Sequence, residues 1–260
     1  MNKPTRRLIV AAPMAALLPR CERADAAKAE KAATAVEGAR DAGRLQPTAE
    51  FVAESAPGPG AHMTGGGARR TQIYIPKSPA PATGYPLALV LHGATQGAEF
   101  VPATFAAAAE QFGVVLAAPN SAAVTWDLSG GPRGVDAATI QAALDGALAR
   151  APIDPARIAC AGFSDGASYA LSLGLTQGTV FSDILAFSPG YVKSGELKGR
   201  PRIFISHGMS DRVLPFGNAR KIAGSLERKG YDVRFFPFRG GHWPVPAAID
   251  AGFRRFLNLP

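Results

Sequence analysis

Arg157-Ile158-Ala159-Cys160-Ala161-Gly162-Phe163-Ser164-Asp165-Gly166 is the stretch that decides the fold. It begins as an apolar run, turns through two glycines set around a serine, and leads into an Ala/Leu-rich helical pattern over 167–175. Strand, sharp turn and helix in that order lift a serine hydroxyl clear of its own backbone. Both glycines are needed because a side chain at either place would clash in so tight a turn.

Outward from this stretch, short apolar runs alternate with helical patterns. Strands are predicted over 71–76, 87–92, 114–118, 157–161, 183–187, 202–206 and 233–238. Helices are predicted over 99–111, 135–149, 165–175, 218–229 and 247–256. Several strands are almost wholly apolar, as expected for strands covered on both faces. The alternation predicts an α/β fold with a mainly parallel central sheet of about seven or eight strands, flanked by helices. The connection over 189–201 is too short to build a large lid, so an open site is expected. Residues 57–67 are dominated by Pro and Gly and read as a linker, with His62 solvated inside it.

A serine hydroxyl attacks a carbonyl only when a base takes its proton and a carboxylate supports that base. The chain has four histidines. His242, in the Gly-Gly-His-Trp turn after the last predicted strand, is positioned to reach Ser164 and is read as the base. Asp211 follows the strand over 202–206 and is read as the carboxylate. Asp183 and Asp232 compete on chain order, but they start strands, whereas reactive groups gather at carboxyl ends; both read as solvated surface charges. An oxyanion needs two backbone N–H groups. Asp165 supplies one. The loop His92-Gly93-Ala94-Thr95-Gln96-Gly97 supplies the other, from Ala94 or, second, from Thr95. His92 organises that loop. Trp243, beside the base, belongs to the pocket or its rim; Trp126 fits the pocket or the core; Thr95 is a further pocket candidate.

Leu91-His92-Gly93-Ala94-Thr95-Gln96, Gly162-Phe163-Ser164-Asp165-Gly166, His207-Gly208 with Asp211, and Gly240-Gly241-His242 together resemble the α/β-hydrolase superfamily. Within it they are similar to small serine esterases grouped with polyhydroxybutyrate depolymerases, feruloyl esterases and carboxylesterase/phospholipases. The resemblance runs from about residue 70 to the C-terminus. It implies ester hydrolysis through an acyl-enzyme on Ser164, with no metal or organic cofactor. An oligoester or polyester depolymerase is the alternative within that class; a catalytically inactive binding protein on the same fold is the alternative outside it. The depolymerase group often has Cys where Ala94 stands, and Asn or Ser where Asp165 stands.

The 260 residues suit one α/β domain over 70–260, preceded by an extension over 27–69. Residues 1–26 read as an export signal: Lys3, Arg6 and Arg7, then an apolar stretch over 8–18, then Ala24-Asp25-Ala26 as a cleavage site. Thr5-Arg6-Arg7-Leu8-Ile9-Val10 resembles a twin-arginine motif. A periplasmic or secreted location is therefore expected, and a cytoplasmic one if the N-terminus is not a signal. Cys21 lacks the small residues before it that a lipid-anchored cysteine needs. Removal of residues 1–26 would leave Cys160 alone, ruling out an internal disulfide. The net charge is +8, and +5 without that segment. The remaining cations are scattered, which argues against nucleic acid as a partner. No apolar stretch is long enough for a stable membrane span. The partner expected is a small or oligomeric ester.

Overall fold

The computed structural model describes residues 45–66, 70–127, 134–193 and 195–260. The expected export segment, Cys21 and most of the extension that follows lie outside the described residues. Eight strands form one sheet: β1 (Gly60–Thr64), β2 (Thr71–Ile75), β3 (Tyr85–Leu91), β4 (Val115–Pro119), β5 (Ile153–Phe163), β6 (Asp183–Phe187), β7 (Arg202–Gly208) and β8 (Val233–Phe238). Among the described residues five α-helices accompany them: α1 (Phe100–Phe112), α2 (Val135–Leu148), α3 (Asp165–Thr176), α4 (Phe216–Arg228) and α5 (Pro246–Phe256). The strand order is β1-β2-β4-β3-β5-β6-β7-β8. β1 and β2 run antiparallel at one edge, and every pairing from β4 to β8 is parallel.

The apolar runs are continuous because the sheet is covered twice. All seven residues of β3 are buried. Leu87, Leu89 and Leu91 pack with Ile140 and Leu144 of α2 and with Tyr169 and Leu173 of α3. Ala88 and Val90 point the other way, into a layer with Val101 and Phe105 of α1 and Phe253 and Phe256 of α5. This is the two-residue period of a strand, read on both faces at once. α3 also faces a third cluster, in which Leu171 and Leu175 meet Ala219, Ile222 and Leu226 of α4. The helix after Ser164 is thus enclosed from Gly166 to Leu175, which fixes the turn that precedes it.

The predicted elements are all present, with shifted ends, and β1 is additional. Its residues fall inside the expected linker over 57–67. β1 pairs with β2 from Gly60↔Ile75 to Thr64↔Thr71. An edge strand draws on backbone hydrogen bonds, so it tolerates the glycine and alternating exposure seen here. His62 is correspondingly half-buried, its Nε2 2.6 Å from the Gly58 carbonyl oxygen.

Asp183 also departs from expectation. It is buried and its carboxylate lies 3.0 Å from Arg202 Nη2, its register partner on β7. Between β6 and β7, the described residues form only an isolated bridge, Gly178↔Gly199, and no lid. Among the described residues no helix is long and apolar enough to cross a membrane.

Candidate active site

Ser164 sits between β5 and α3 with φ 56° and ψ −116°. That backbone region belongs to glycine in ordinary turns. It is held there by close packing of the turn: a Cβ on Gly162 would lie 2.3 Å from the Gly166 carbonyl oxygen, and one on Gly166 would lie 2.2 Å from that of Leu91. The Ser164 N–H donates to the Phe187 carbonyl at 2.9 Å, tying the turn to the end of β6.

His242 reaches this serine from the loop after β8. Its Nε2 is 2.8 Å from Ser164 Oγ, and its Nδ1 is 2.6 Å from Asp211 Oδ2. The β7 and β8 loops are laced together to make this possible: the Met209 N–H donates to the Phe238 carbonyl at 2.8 Å and the Ser210 N–H to that of Gly240 at 2.9 Å. The His242 ring packs against Phe163, with centroids 5.0 Å apart.

The Asp211 side chain is shielded from solvent. Burial pushes its carboxyl up, but hydrogen bonds from His242, Leu214 and Val213 outweigh this and hold it below its ordinary value. The Leu214 and Val213 N–H groups donate to Oδ1 at 2.9 and 2.8 Å, leaving Oδ2 to the His242 imidazole and to His207 Nε2, 3.0 Å away. With an ionised Oδ2 beside it, Nδ1 carries the ring proton, and the Nε2 lone pair faces the serine hydroxyl.

Of the two donors considered for the oxyanion loop, the structure separates Ala94 from Thr95. The Thr95 N–H is committed to the Val124 carbonyl at 2.7 Å. The Ala94 N–H has no partner among the described residues. The loop lies against the serine, since a Cβ on Gly93 would sit 3.4 Å from Ser164 Cβ. Gln96, which the sequence reading passed over, braces it: its Oε1 accepts from the Gly93 N–H at 2.9 Å. The Asp165 N–H is at the first residue of α3, where backbone donors point outward and favour negative charge.

His92 is buried and organises the loop, as its place in the sequence implied. Its Nε2 accepts from the Ser121 N–H at 3.0 Å, which leaves the proton on Nδ1 for the Gly93 carbonyl at 2.8 Å. Burial lowers its pKa and favours this neutral form.

Trp126 requires a correction as a pocket candidate. It is fully buried, packs against Tyr169, and donates its Nε1–H to the His92 carbonyl at 2.9 Å. It supports the loop from behind, in the core. Trp243 is half exposed and packs edge-on against Phe100 and Phe163, which puts it at the rim.

The Asp165 carboxylate accepts from Thr125 Oγ1, from the Trp126 N–H at 3.2 Å and from Tyr191 Oη at 3.0 Å. It thereby joins three segments around the serine. No sequence signal identified Thr125 or Tyr191, because both contacts are purely tertiary.

Comparison with known proteins points to the same fold. The family described as phospholipase/carboxylesterase matches residues 135–249. Acyl-protein thioesterase 1 of Gibberella zeae is 31% identical over 108 residues, which cover 38% of this chain and 46% of that protein. The chain spans less than half the length of the curated relatives it matches. Among solved structures, esterase PE8 aligns with a TM-score of 0.57 at 24% identity, covering 72% of this chain and 97% of that one. Fluorophosphonate-binding serine hydrolase F of Staphylococcus aureus aligns with a TM-score of 0.59 at 15% identity, covering 77% and 98%. Sheet order, the turn at Ser164 and the likeness to these solved structures show the α/β-hydrolase fold.

Proposed function

We propose that the chain is a serine carboxylesterase. The observation that carries this reading is the unbroken line Ser164 Oγ, His242, Asp211, with contacts of 2.8 and 2.6 Å. In the proposed reaction His242 Nε2 takes the Ser164 proton as Oγ attacks the ester carbonyl. The developing oxyanion accepts from the Ala94 and Asp165 N–H groups. His242 then protonates the leaving alcohol, and an acyl-enzyme remains on Ser164. Water, deprotonated by the same imidazole, releases the acid and restores the serine. Asp211 keeps the ring in the required tautomer and stabilises its charged form. The reading needs no metal or cofactor.

A fluorophosphonate probe tests it. The unmutated protein should be labelled covalently and Ser164→Ala should not; an unmutated protein that resists labelling overturns the reading. A chain-length series of p-nitrophenyl esters then measures the acyl preference. The catalytic unit is proposed to occupy 70–260, and residues 1–26 to direct export, on the strength of the basic start, apolar stretch and Ala-Asp-Ala site. The N-terminal residue of protein recovered from periplasm or medium tests the second point: a start at Ala27 is expected, and an intact Met1 overturns it.

A further inference from the structure

His207 lies at the end of β7 and is wholly buried. Its Nε2 faces two acceptors, the Leu214 carbonyl oxygen at 2.9 Å and Asp211 Oδ2 at 3.0 Å. A ring nitrogen between a carbonyl and a carboxylate carries the proton, so Nε2–H is a donor. Among the described residues the buried Nδ1 has no hydrogen-bond partner. Burying an unpaired polar atom is a cost that a leucine of similar size would avoid. The other edge of the imidazole therefore has a use that offsets it.

That use is legible in the loop that follows. Leu214, whose carbonyl His207 holds, donates its own N–H to Asp211 Oδ1 at 2.9 Å. One imidazole edge thus meets the carboxylate at Oδ2 and fixes the peptide that serves Oδ1. Among the described residues the polar contacts of His207 run to Asp211 and Leu214, with His242 beyond the carboxylate; from α4 the Phe216 ring packs against it, centroids 6.1 Å apart. We propose that His207 is a positioning residue for Asp211, holding the carboxylate in the orientation from which Oδ2 serves His242. This rests on the reading of Ser164, His242 and Asp211 as a catalytic triad.

The test compares three replacements in the full chain on one p-nitrophenyl ester, with thermal unfolding as a check on folding. In His207→Gln the amide nitrogen reaches the place of Nε2 and offers two N–H donors, one for each acceptor. In His207→Asn it falls near Nδ1, where nothing accepts. His207→Leu has no donor. The Leu and Asn variants should lose kcat about tenfold or more, as expected when a hydrogen bond to a charged group is lost, with KM little changed. Their acidic limb in kcat/KM should move to higher pH, because a carboxylate stripped of a donor holds protons more tightly. The Gln variant should recover most of the kcat and the original limb. A merely structural His207 would lower stability in all three without moving the limb.

If His207→Leu prevents folding, the Gln and Asn pair decides alone. Folded Gln and Asn variants with equal kcat, or a Leu variant with the original kcat and limb, overturn the proposal. An unmutated protein that neither hydrolyses the ester nor labels with a fluorophosphonate overturns the triad reading, and this proposal with it. Labelling that persists alongside indifferent His207 variants overturns this proposal only.

Discussion

Ser164→Gly should yield a more stable protein than Ser164→Ala, although both lack the hydroxyl. The reason is the backbone at that position, φ 56° and ψ −116°. A residue with a side chain held in so sparsely populated a region costs about 1–3 kcal/mol. Alanine keeps the Cβ and so keeps that strain, while glycine releases it. Glycine also gives the unfolded chain more freedom, a penalty of about 0.5–1 kcal/mol relative to alanine. The hydrogen bond between Ser164 Oγ and His242 is absent from both variants and cancels in the comparison. The net expectation is a glycine variant more stable by about 1 kcal/mol, the middle of a range of roughly 0–2.5 kcal/mol.

Urea unfolding at neutral pH, followed by tryptophan fluorescence, measures the difference. The glycine variant should have the higher midpoint at an unchanged slope, since the surface exposed on unfolding is the same. Thermal melts should agree, at about 2–4 °C per kcal/mol for a domain of this size. A glycine variant equal to or less stable than the alanine variant, with matching slopes, would refute the argument that Ser164 is strained. The serine would then be held in that backbone region at no energetic cost.

Asp211→Asn should lower kcat by about three to four orders of magnitude, because an amide no longer enforces the Nδ1–H tautomer; p-nitrophenyl ester kinetics at pH 7 read this, and a loss under tenfold contradicts it. Asp211 is also held below its ordinary carboxylate value in the fold. Its contribution to stability is thus present above its unfolded value, about pH 4, and is lost as pH falls through the folded one. The urea stability gap between the unmutated protein and Asp211→Asn should therefore shrink on acidification, and a gap that widens reverses the sign assigned here. Trp126→Phe should cost about 1–3 kcal/mol by orphaning the buried His92 carbonyl with KM little changed, whereas the half-exposed Trp243→Ala should alter KM. Denaturation and ester kinetics on the pair check the contrast. Gly166→Ala would drive a Cβ to 2.2 Å from the Leu91 carbonyl oxygen; rigid backbone cannot yield, so about 3 kcal/mol or more should be lost, seen as poor soluble yield or a much lower urea midpoint.

What the sequence made legible depends on how far each interaction reaches along the chain. The pattern around Ser164 is local: two glycines, an apolar run and a helix define the turn with no knowledge of the rest. β3 could be recognised because burial on both faces leaves an uninterrupted apolar run. Chain order left Asp183 and Asp232 as rivals, and the places of Asp211 and His242 after the ends of strands singled them out, since strands that end at one edge of a parallel sheet deliver their loops to one place.

Where the interaction is tertiary, the same residue types carry no mark. β1 is held by its backbone pairing to β2, so its composition reads as a linker. A tryptophan in a loop looks alike whether it lines a pocket or, as Trp126 does, closes the core behind one. Asp183 is a charge at the start of a strand, and only the register that sets it opposite Arg202 explains why it can be buried. His207 is the sharpest case. It stands four positions before Asp211, a spacing that brings side chains together on a helix but not on a strand. The contact exists because β7 ends at Gly208 and the chain turns back, with Asp211 bonding the Val213 and Leu214 N–H groups. The motif that placed Asp211 in the site thus also brought His207 to its side, through a turn that only the folded loop reveals.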